Sequence, residues 1–307
     1  MAGVRKVKAG WYNAFRPWTL HGAVVPVLIG AAIAYSEHTF DTIDCIMFAL
    51  VMAGGLLLQS AANLLNTYGD FKNGYDTEEN HSRSPELVTG VLRPKHVFYA
   101  GLACLGVTAL IGLVFIWRVG PSILVYGILG LIGAGTYTVG GSYKYLGLGQ
   151  ISVFVMMGLL MPLGTYLVLT GQMFSWEVFL MSLPNAFMIT AVLSGNEMRD
   201  YESDKENGIG TLSQRMSYGS GMRLYVFECG VGFVILAALI ATGTVPWACA
   251  LAFVSLYDFY QVYVNSTLAK GDRDHSFMLV PLAFRMNWHF GVLLVSGYIL
   301  DLLFITG

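Results

Sequence analysis

The sequence predicts an all-α, polytopic membrane helix bundle of about nine transmembrane helices, and three observations carry that prediction. The 307 residues have a mean hydropathy of +0.61, with 55% hydrophobic and only 12% charged residues, far from the roughly 25% charged residues of a soluble domain. Apolar runs of about 20 residues, long enough to cross a hydrocarbon core of roughly 30 Å, recur along the whole chain. The basic residues fall almost entirely in alternate connections between those runs, the pattern left when cytoplasmic loops collect Lys and Arg.

Taken in order, the runs lie at 18–36, 43–66, 97–117, 121–140, 151–170, 176–196, 223–243, 246–266 and 287–305. Alternation through them puts sixteen of the seventeen Lys and Arg on the side of the N-terminus, and only Arg118 on the other. A miscounted run would scramble that asymmetry, so a cytoplasmic N-terminus is expected, in the cell membrane. Arg5, Lys6 and Lys8 precede the first run without an apolar stretch of their own, and that run has no small-residue cleavage pattern. No removable signal peptide is therefore expected. Cys45, Cys104, Cys229 and Cys249 stand apart, without the short spacings that bind zinc or an iron cluster, and are expected to pack as small apolar residues. The net charge of -2 gives no sign of a nucleic-acid partner, and no linker or low-complexity tract divides the chain. Residues 1–307 are expected to form a single integral-membrane domain.

Two stretches break the apolar pattern. The second run passes directly into "NLLNTYGDFKNGYD", Asn63 to Asp76, and the sixth into "NEMRDYESDKENGIGTL", Asn196 to Leu212. Asn66 and Asp70 stand four apart, as do Asn196, Asp200 and Asp204 in succession, so each set lies on one face of a helical extension. Both stretches fall on the cytoplasmic side. They also rhyme, each with a glycine four residues after an aspartate (Asp70 to Gly74, Asp204 to Gly208), a hint of internal duplication. Carboxylate and amide oxygens without His or Cys suit a hard cation. Mg²⁺ in particular binds through one or two carboxylates plus the oxygens of a phosphorylated substrate. Lys72, Arg83, Arg93, Arg199 and Lys205 are interleaved with the acids; positive charge there would repel a bare cation but fits a metal-bridged anion.

These residues resemble the UbiA superfamily of intramembrane aromatic prenyltransferases, whose members carry two Asp-rich motifs after the second and sixth of nine helices. More narrowly, "NLLNTYGDFKNGYD" and "RDYESDKENGIGTL", with "YTVGGSYKYLGLGQISVF" (Tyr137 to Phe154) and "RPWTL" (Arg16 to Leu20), are similar to the menaquinone-pathway branch, the 1,4-dihydroxy-2-naphthoate prenyltransferases and related animal enzymes. In the 4-hydroxybenzoate branch the positions of Gly74 and Gly208 are more often Asp. The chain departs from the pattern at Thr67, at Gln150, which replaces a usual acid, at Trp18, and in the absence of a proline from "GGSYKY".

The resemblance implies a UbiA-type fold and the ionisation of an allylic polyprenyl diphosphate, followed by attack of an electron-rich aromatic ring. It implies Mg²⁺ ligation by Asn66, Asp70, Asp200 and Asp204, with Asn63, Asp76 and Asn196 in support. Lys72, Arg83, Lys144, Arg199 and Lys205 become candidates for diphosphate contact, Lys144 foremost, and Arg16 a further one. A diphosphate carries about three negative charges near neutral pH and leaves only if that charge is neutralised as the bond breaks. An allylic cation also needs a dry site with aromatic faces, for which Tyr68, Tyr137, Tyr143 and Tyr201 are placed. Glu228 and Asp258 fall inside predicted spans, where an ionisable group suggests function, and Asn287 and His289 are candidates to meet the acceptor. Other acceptors on the same fold remain open. A secondary transporter is disfavoured because the acids cluster in loops, and an inactive scaffold has no need of the Asp70, Asp200 and Asp204 set.

Overall fold

The computed structural model describes residues 9–76, 85–137 and 143–304. Among these residues every regular element is helical. A bent lead, Trp11–Phe15 and a 3₁₀ turn Pro17–Thr19, opens into α1, His21–Glu37. There follow α2 Thr42–Lys72, α3 Pro94–Val119, α4 Ile123–Thr136, α5 Gly149–Thr170, α6 Trp176–Arg199 and α7 Tyr218–Ala241. A 3₁₀ stretch, Trp247–Ser255, leads into α8, Leu256–Leu268, and the last helix is α9, Arg273–Phe304.

Each predicted apolar run thus has a helical counterpart, but nine spans are not confirmed as a count. Among the described residues six helices are long and apolar enough to cross a membrane, or seven if the lead and α1, bent by 40°, count as one. The shortfall has two local causes. Helix α4 has 14 residues, about 21 Å at 1.5 Å per residue, and the 246–266 run begins as 3₁₀ rather than α-helix.

Local chemistry sets the helix ends. Asp41 accepts the Asp44 amide at 2.8 Å while Asp44 accepts the Asp41 amide at 3.3 Å, a capping box that starts α2. Ser175 and Ser217 cap α6 and α7 in the same sense. Gly171 closes α5 at φ 77°, a left-handed conformation that glycine adopts without strain. At the non-cytoplasmic end predicted from sequence, Arg118 of α3 and His38 after α1 both reach Asp44 at 3.1 Å and tie three helix ends together.

Helix α6 is the core of the bundle. Of its most apolar window 72% is buried, against 11% for the peripheral α3, and it packs on α1, α5, α7 and α9. Small residues permit the closest crossings, as expected where helix association relies on packing alone. A Cβ on Gly30 of α1 would stand 2.3 Å from the Pro162 carbonyl oxygen of α5. The α5 backbone widens to a π-helical segment, Phe154–Leu160, where it crosses α6.

Candidate active site

Helix α2 runs past its apolar stretch to Lys72, so Asn63, Asn66 and Asp70 ride on its polar final turns. Helix α6 ends at Arg199, with Asp200 as its C-cap; a following short helix, Tyr201–Glu206, carries Asp204. Between these two acidic arms the 3₁₀ turn Tyr143–Leu146 brings in Lys144. Lys144 Nζ lies 3.0 and 3.1 Å from the two Asp70 carboxylate oxygens and 3.3 Å from Asn66 Oδ1. Tyr145 donates its hydroxyl to Asp70 at 2.6 Å, and Asn73 donates to Tyr145 at 3.4 Å. Across the site Arg199 forks onto Asp200, with Nε and Nη2 each 2.8 Å from a different oxygen. Each acidic arm thus carries its own cation. The charge-assisted, bidentate form of the second pair is the strong kind.

Burial pushes the Tyr145 hydroxyl well above its ordinary tyrosine value, with the Asp70 charge adding to the effect, so Tyr145 stays a neutral donor. Burial also raises Tyr143, against the hydrogen bond that Ser152 donates to its hydroxyl. Tyr143 in turn donates to the Gly133 carbonyl at 2.6 Å, which docks the Lys144 turn on α4. The Lys144 ammonium lies 5.5 Å from the Tyr145 ring centre and 5.9 Å from that of Tyr137, within cation–π range.

Asn66, Asp70, Lys144, Arg199 and Asp200 open on one cavity of about 1100 Å³. One end of it holds Asn66, Asp70, Lys144, Asn196, Asp200 and Asp204. The remainder is mostly apolar, with Val51, Leu58, Met156 and Val168 among its walls. On α2 alone the lining runs from Val51 to Asp70, about 28 Å of helix at ~1.5 Å per residue. A charged mouth over a long greasy channel suits an amphiphile with a polyanionic head and a hydrocarbon tail.

The residues singled out from sequence separate into groups. Asn66, Asp70, Asp200, Asp204, Lys144, Asn63, Asp76, Tyr137, Tyr143 and Arg199 all line the cavity. The Asn63 amide donates to the Phe15 carbonyl at 3.0 Å and the Thr19 hydroxyl at 2.9 Å, so it fastens the lead to α2. Arg16, the one non-glycine residue at positive φ among the described residues (φ 50°), also lines the cavity and donates to Thr67 at 3.2 Å. Lys72 and Lys205 are exposed outside the cavity wall, Lys72 5.9 Å from the Tyr68 ring. Arg83 lies outside the described residues. His289 and Asp258 meet at 2.6 Å between α8 and α9, away from the cavity wall, and Glu228 is held within the bundle by Ser194.

Two contributors were not singled out from the sequence. Tyr145 is adjacent to Lys144 in "YKYLG", and that adjacency was the available signal. Glu197 lines the cavity and accepts from the Ser213 amide at 3.0 Å, the Ser213 hydroxyl at 2.8 Å and the Gln150 amide at 2.9 Å. It thereby pins the start of α5 and the segment after Asp204 to α6. Gln150 supplies a donor where an acid would have faced Glu197 with like charge.

Among the described residues no group of three or more His, Cys, Asp or Glu converges closely enough to hold a metal unaided. The donors at the mouth are carboxylate and amide oxygens, two or three per arm, with Asp70 already paired to Lys144 and Asp200 to Arg199. That set fits a hard cation whose remaining ligands come from a bound anion and water, and does not fit a soft or self-sufficient metal centre.

A polytopic bundle with this mouth and channel defines an intramembrane enzyme of lipid-like substrates. The chain belongs to the UbiA prenyltransferase family, whose sequence pattern matches residues 23–291; it is a prenyltransferase. It is 29% identical over 234 residues to the 1,4-dihydroxy-2-naphthoate octaprenyltransferase of Bacillus subtilis, covering 76% of this chain and 74% of that protein. To the human UbiA prenyltransferase domain-containing protein 1 it is 27% identical over 302 residues, covering 96% and 85%. In fold it resembles a UbiA homolog from Archaeoglobus fulgidus bound to GPP and Mg²⁺, with a TM-score of 0.59 at 12% identity, covering 93% of this chain and 99% of that one.

Proposed function

We propose that this protein transfers a polyprenyl group from an allylic polyprenyl diphosphate to an aromatic acceptor, 1,4-dihydroxy-2-naphthoate, the prenylation that leads to menaquinone. The observation that carries the reading is the pairing of two acidic arms, each with its own cation, over a single long apolar channel. The Bacillus subtilis relative, named for that acceptor, and the glycines at positions 74 and 208 support the choice of acceptor. The human relative's name specifies none.

In this reading Asn66 and Asp70 on one arm, and Asp200 and Asp204 on the other, would hold Mg²⁺. Bound there, the ion would supply Lewis acidity toward the leaving diphosphate. The chain's own groups do the rest. Lys144 exchanges its contact with Asp70 for the diphosphate, and Arg199 stays forked on Asp200 with its remaining N–H groups turned to the same charge. Asn63 and Arg16 hold the lead against α2 so that the mouth keeps its shape. Lys72, Lys205 and Arg83 supply the outer field that draws in the anion, while Asp76, in the cavity wall, supports the metal-holding groups of its arm. Tyr137 and Tyr143 exclude water, and the face of Tyr137 shields developing positive charge. The hydrocarbon tail lies along the channel from the mouth toward Val51. The acidic arms face the cytoplasm, on the side that gathers sixteen of the seventeen basic residues, and residues 1–307 act as one domain.

The test is prenyl transfer in nanodiscs with a labelled polyprenyl diphosphate, offering 1,4-dihydroxy-2-naphthoate or 4-hydroxybenzoate, with Mg²⁺ or with EDTA. Prenylated naphthoquinol formed only with metal is the expected outcome. Product from 4-hydroxybenzoate alone would discard the acceptor and keep the chemistry. Asp70→Ala and Asp200→Ala are each expected to abolish transfer in a folded protein, and wild-type turnover in either would overturn the site.

A further inference from the structure

A second, smaller cavity adjoins the first. It has a volume of about 490 Å³, within the roughly 300–1,000 Å³ usual for small-molecule sites. It lies between the lead, the start of α1, the end of α6 and the first half of α9. Trp18, Phe277, Val280, Pro281, Phe284 and Arg199 face both cavities, so the two share a wall at the Arg199–Asp200 pair.

Its lining is of two kinds. His21, Phe284, Trp288 and Trp18 supply rings; that of His21 meets Phe284 edge-on at 4.7 Å and 68°, and Trp288 at 5.6 Å and 73°. Arg199 and Arg285 supply guanidinium groups. Arg285 contacts Asp258 through Nε at 2.8 Å and donates to Gln261 through Nη2, which leaves Nη1 unpartnered among the described residues. Asp258 and Gln261 both lie on α8, and neither lines the chamber. Rings and guanidinium N–H groups together suit a flat, conjugated anion: edge and face contacts take the ring system, and the planar fork of an arginine takes a carboxylate.

We propose that this chamber binds the acceptor as an aromatic carboxylate, with Arg285 on the carboxylate, Trp288 and Phe284 on the ring, and the reacting edge toward the Arg199–Asp200 corner where the diphosphate is held. Arg285 and Trp288 are then acceptor-binding and specificity residues rather than members of the diphosphate site. The inference rests on the prenyl-transfer reading for the direction of approach, but not on which aromatic carboxylate is the natural one. An anionic lipid headgroup presents similar charge to the same arginines; the rings favour the flat ligand.

The test measures binding without turnover. The whole protein in phosphatidylcholine nanodiscs is titrated calorimetrically with 2-naphthoate and with 2-naphthol, then again in phosphatidylglycerol nanodiscs. Saturable binding of 2-naphthoate is expected. Arg285→Gln should weaken it by about tenfold, within the range for a hydrogen bond to a charged group, and leave 2-naphthol unchanged. Trp288→Leu, which keeps the Arg285–Asp258 pair, should weaken both ligands and leave the binding of geranyl diphosphate intact, which also reports a folded site. In turnover, Arg285→Gln should raise the acceptor KM with the diphosphate KM unmoved. Naphthoate binding unaffected by both substitutions would overturn the proposal. So would its disappearance in phosphatidylglycerol, which would assign the chamber to a lipid. If no aromatic acceptor is prenylated but 2-naphthoate still binds through Arg285, the proposed reaction fails and the chamber stands; if prenylation of a carboxylate acceptor ignores Arg285, the reverse holds.

Discussion

Replacing Lys144 by Gln separates the two jobs proposed for its ammonium. In the structure Lys144 pairs with Asp70 from 3.0 and 3.1 Å; in the proposed turnover it belongs to the diphosphate. Unit charges about 4 Å apart attract by ~4 kcal/mol at an effective dielectric of ~20. The two side chains are 19% and 16% exposed, so water and salt screen part of that interaction, and halving it leaves ~2 kcal/mol, or roughly 30-fold. Lys144→Gln relieves Asp70 of this competitor, so half-saturating Mg²⁺ should fall by up to that factor. The rate should move the other way, because one preorganised donor to the departing charge is gone, a loss on the order of 10²-fold in kcat. Tighter metal with slower chemistry is a signature that simple damage to the site does not produce. The assay is a Mg²⁺ titration of prenyl transfer with both substrates saturating, repeated at each metal concentration for kcat. A kcat within twofold of wild type, or half-saturation moving to higher Mg²⁺, would refute the exchange.

Tyr145→Phe removes the 2.6 Å hydrogen bond to Asp70 and should lower kcat roughly tenfold. Because burial, and then the Asp70 charge, raise the hydroxyl above its usual value of 10.0, the bond is complete below that unfolded value and is lost only as pH rises through the higher folded one. The difference in Tm between wild type and variant should therefore be constant from about pH 6 to 9; a difference that shrinks within that window would contradict a neutral donor. Gly30→Ala places a Cβ 2.3 Å from the Pro162 carbonyl oxygen, a clash with backbone that no rotamer relieves. A loss of about 1–3 kcal/mol, seen as a lower Tm in detergent, is expected, and an unchanged Tm would show that the α1–α5 crossing is looser than the structure has it.

The helices were legible because the property that drives a segment into lipid, a sustained apolar run, is local in sequence. The count was not, because it turns on backbone geometry. Whether 247–255 winds as 3₁₀ or α, and whether α4 stops at Thr136, depends on packing against neighbours and leaves hydropathy unchanged. The site was legible where spacing fixes a face: Asn66 with Asp70, and Asn196 with Asp200. Lys144–Asp70, 74 residues apart, and Gln150–Glu197, 47 apart, leave no periodic trace. Lys144 stands out only through family resemblance, and Glu197 does not stand out because an acid beside an Asp-rich stretch reads as more of the same. Its three hydrogen bonds show it to be a fastener for the segments around the mouth.

The arrangement of charge explains why acids and bases are interleaved in these loops at all. Two acidic arms lining one largely apolar cavity would repel each other strongly if left bare, and desolvation would add to the cost. Lys144, from the turn between the arms, pairs with Asp70 and Arg199 pairs with Asp200; these two cations offset part of that charge, and they differ in a way that matters. Lysine is a mobile point charge on a flexible stem, free to leave Asp70 when a metal takes its place; arginine forks bidentately on Asp200 and has N–H groups to spare for an incoming anion without letting go. On the proposed reading the α2 arm is therefore the one that rearranges on loading, and the α6 arm is the fixed reference against which the diphosphate and the acceptor are positioned. The shared wall at Arg199 fits that division, since a corner that serves two ligands must not move when the first one binds.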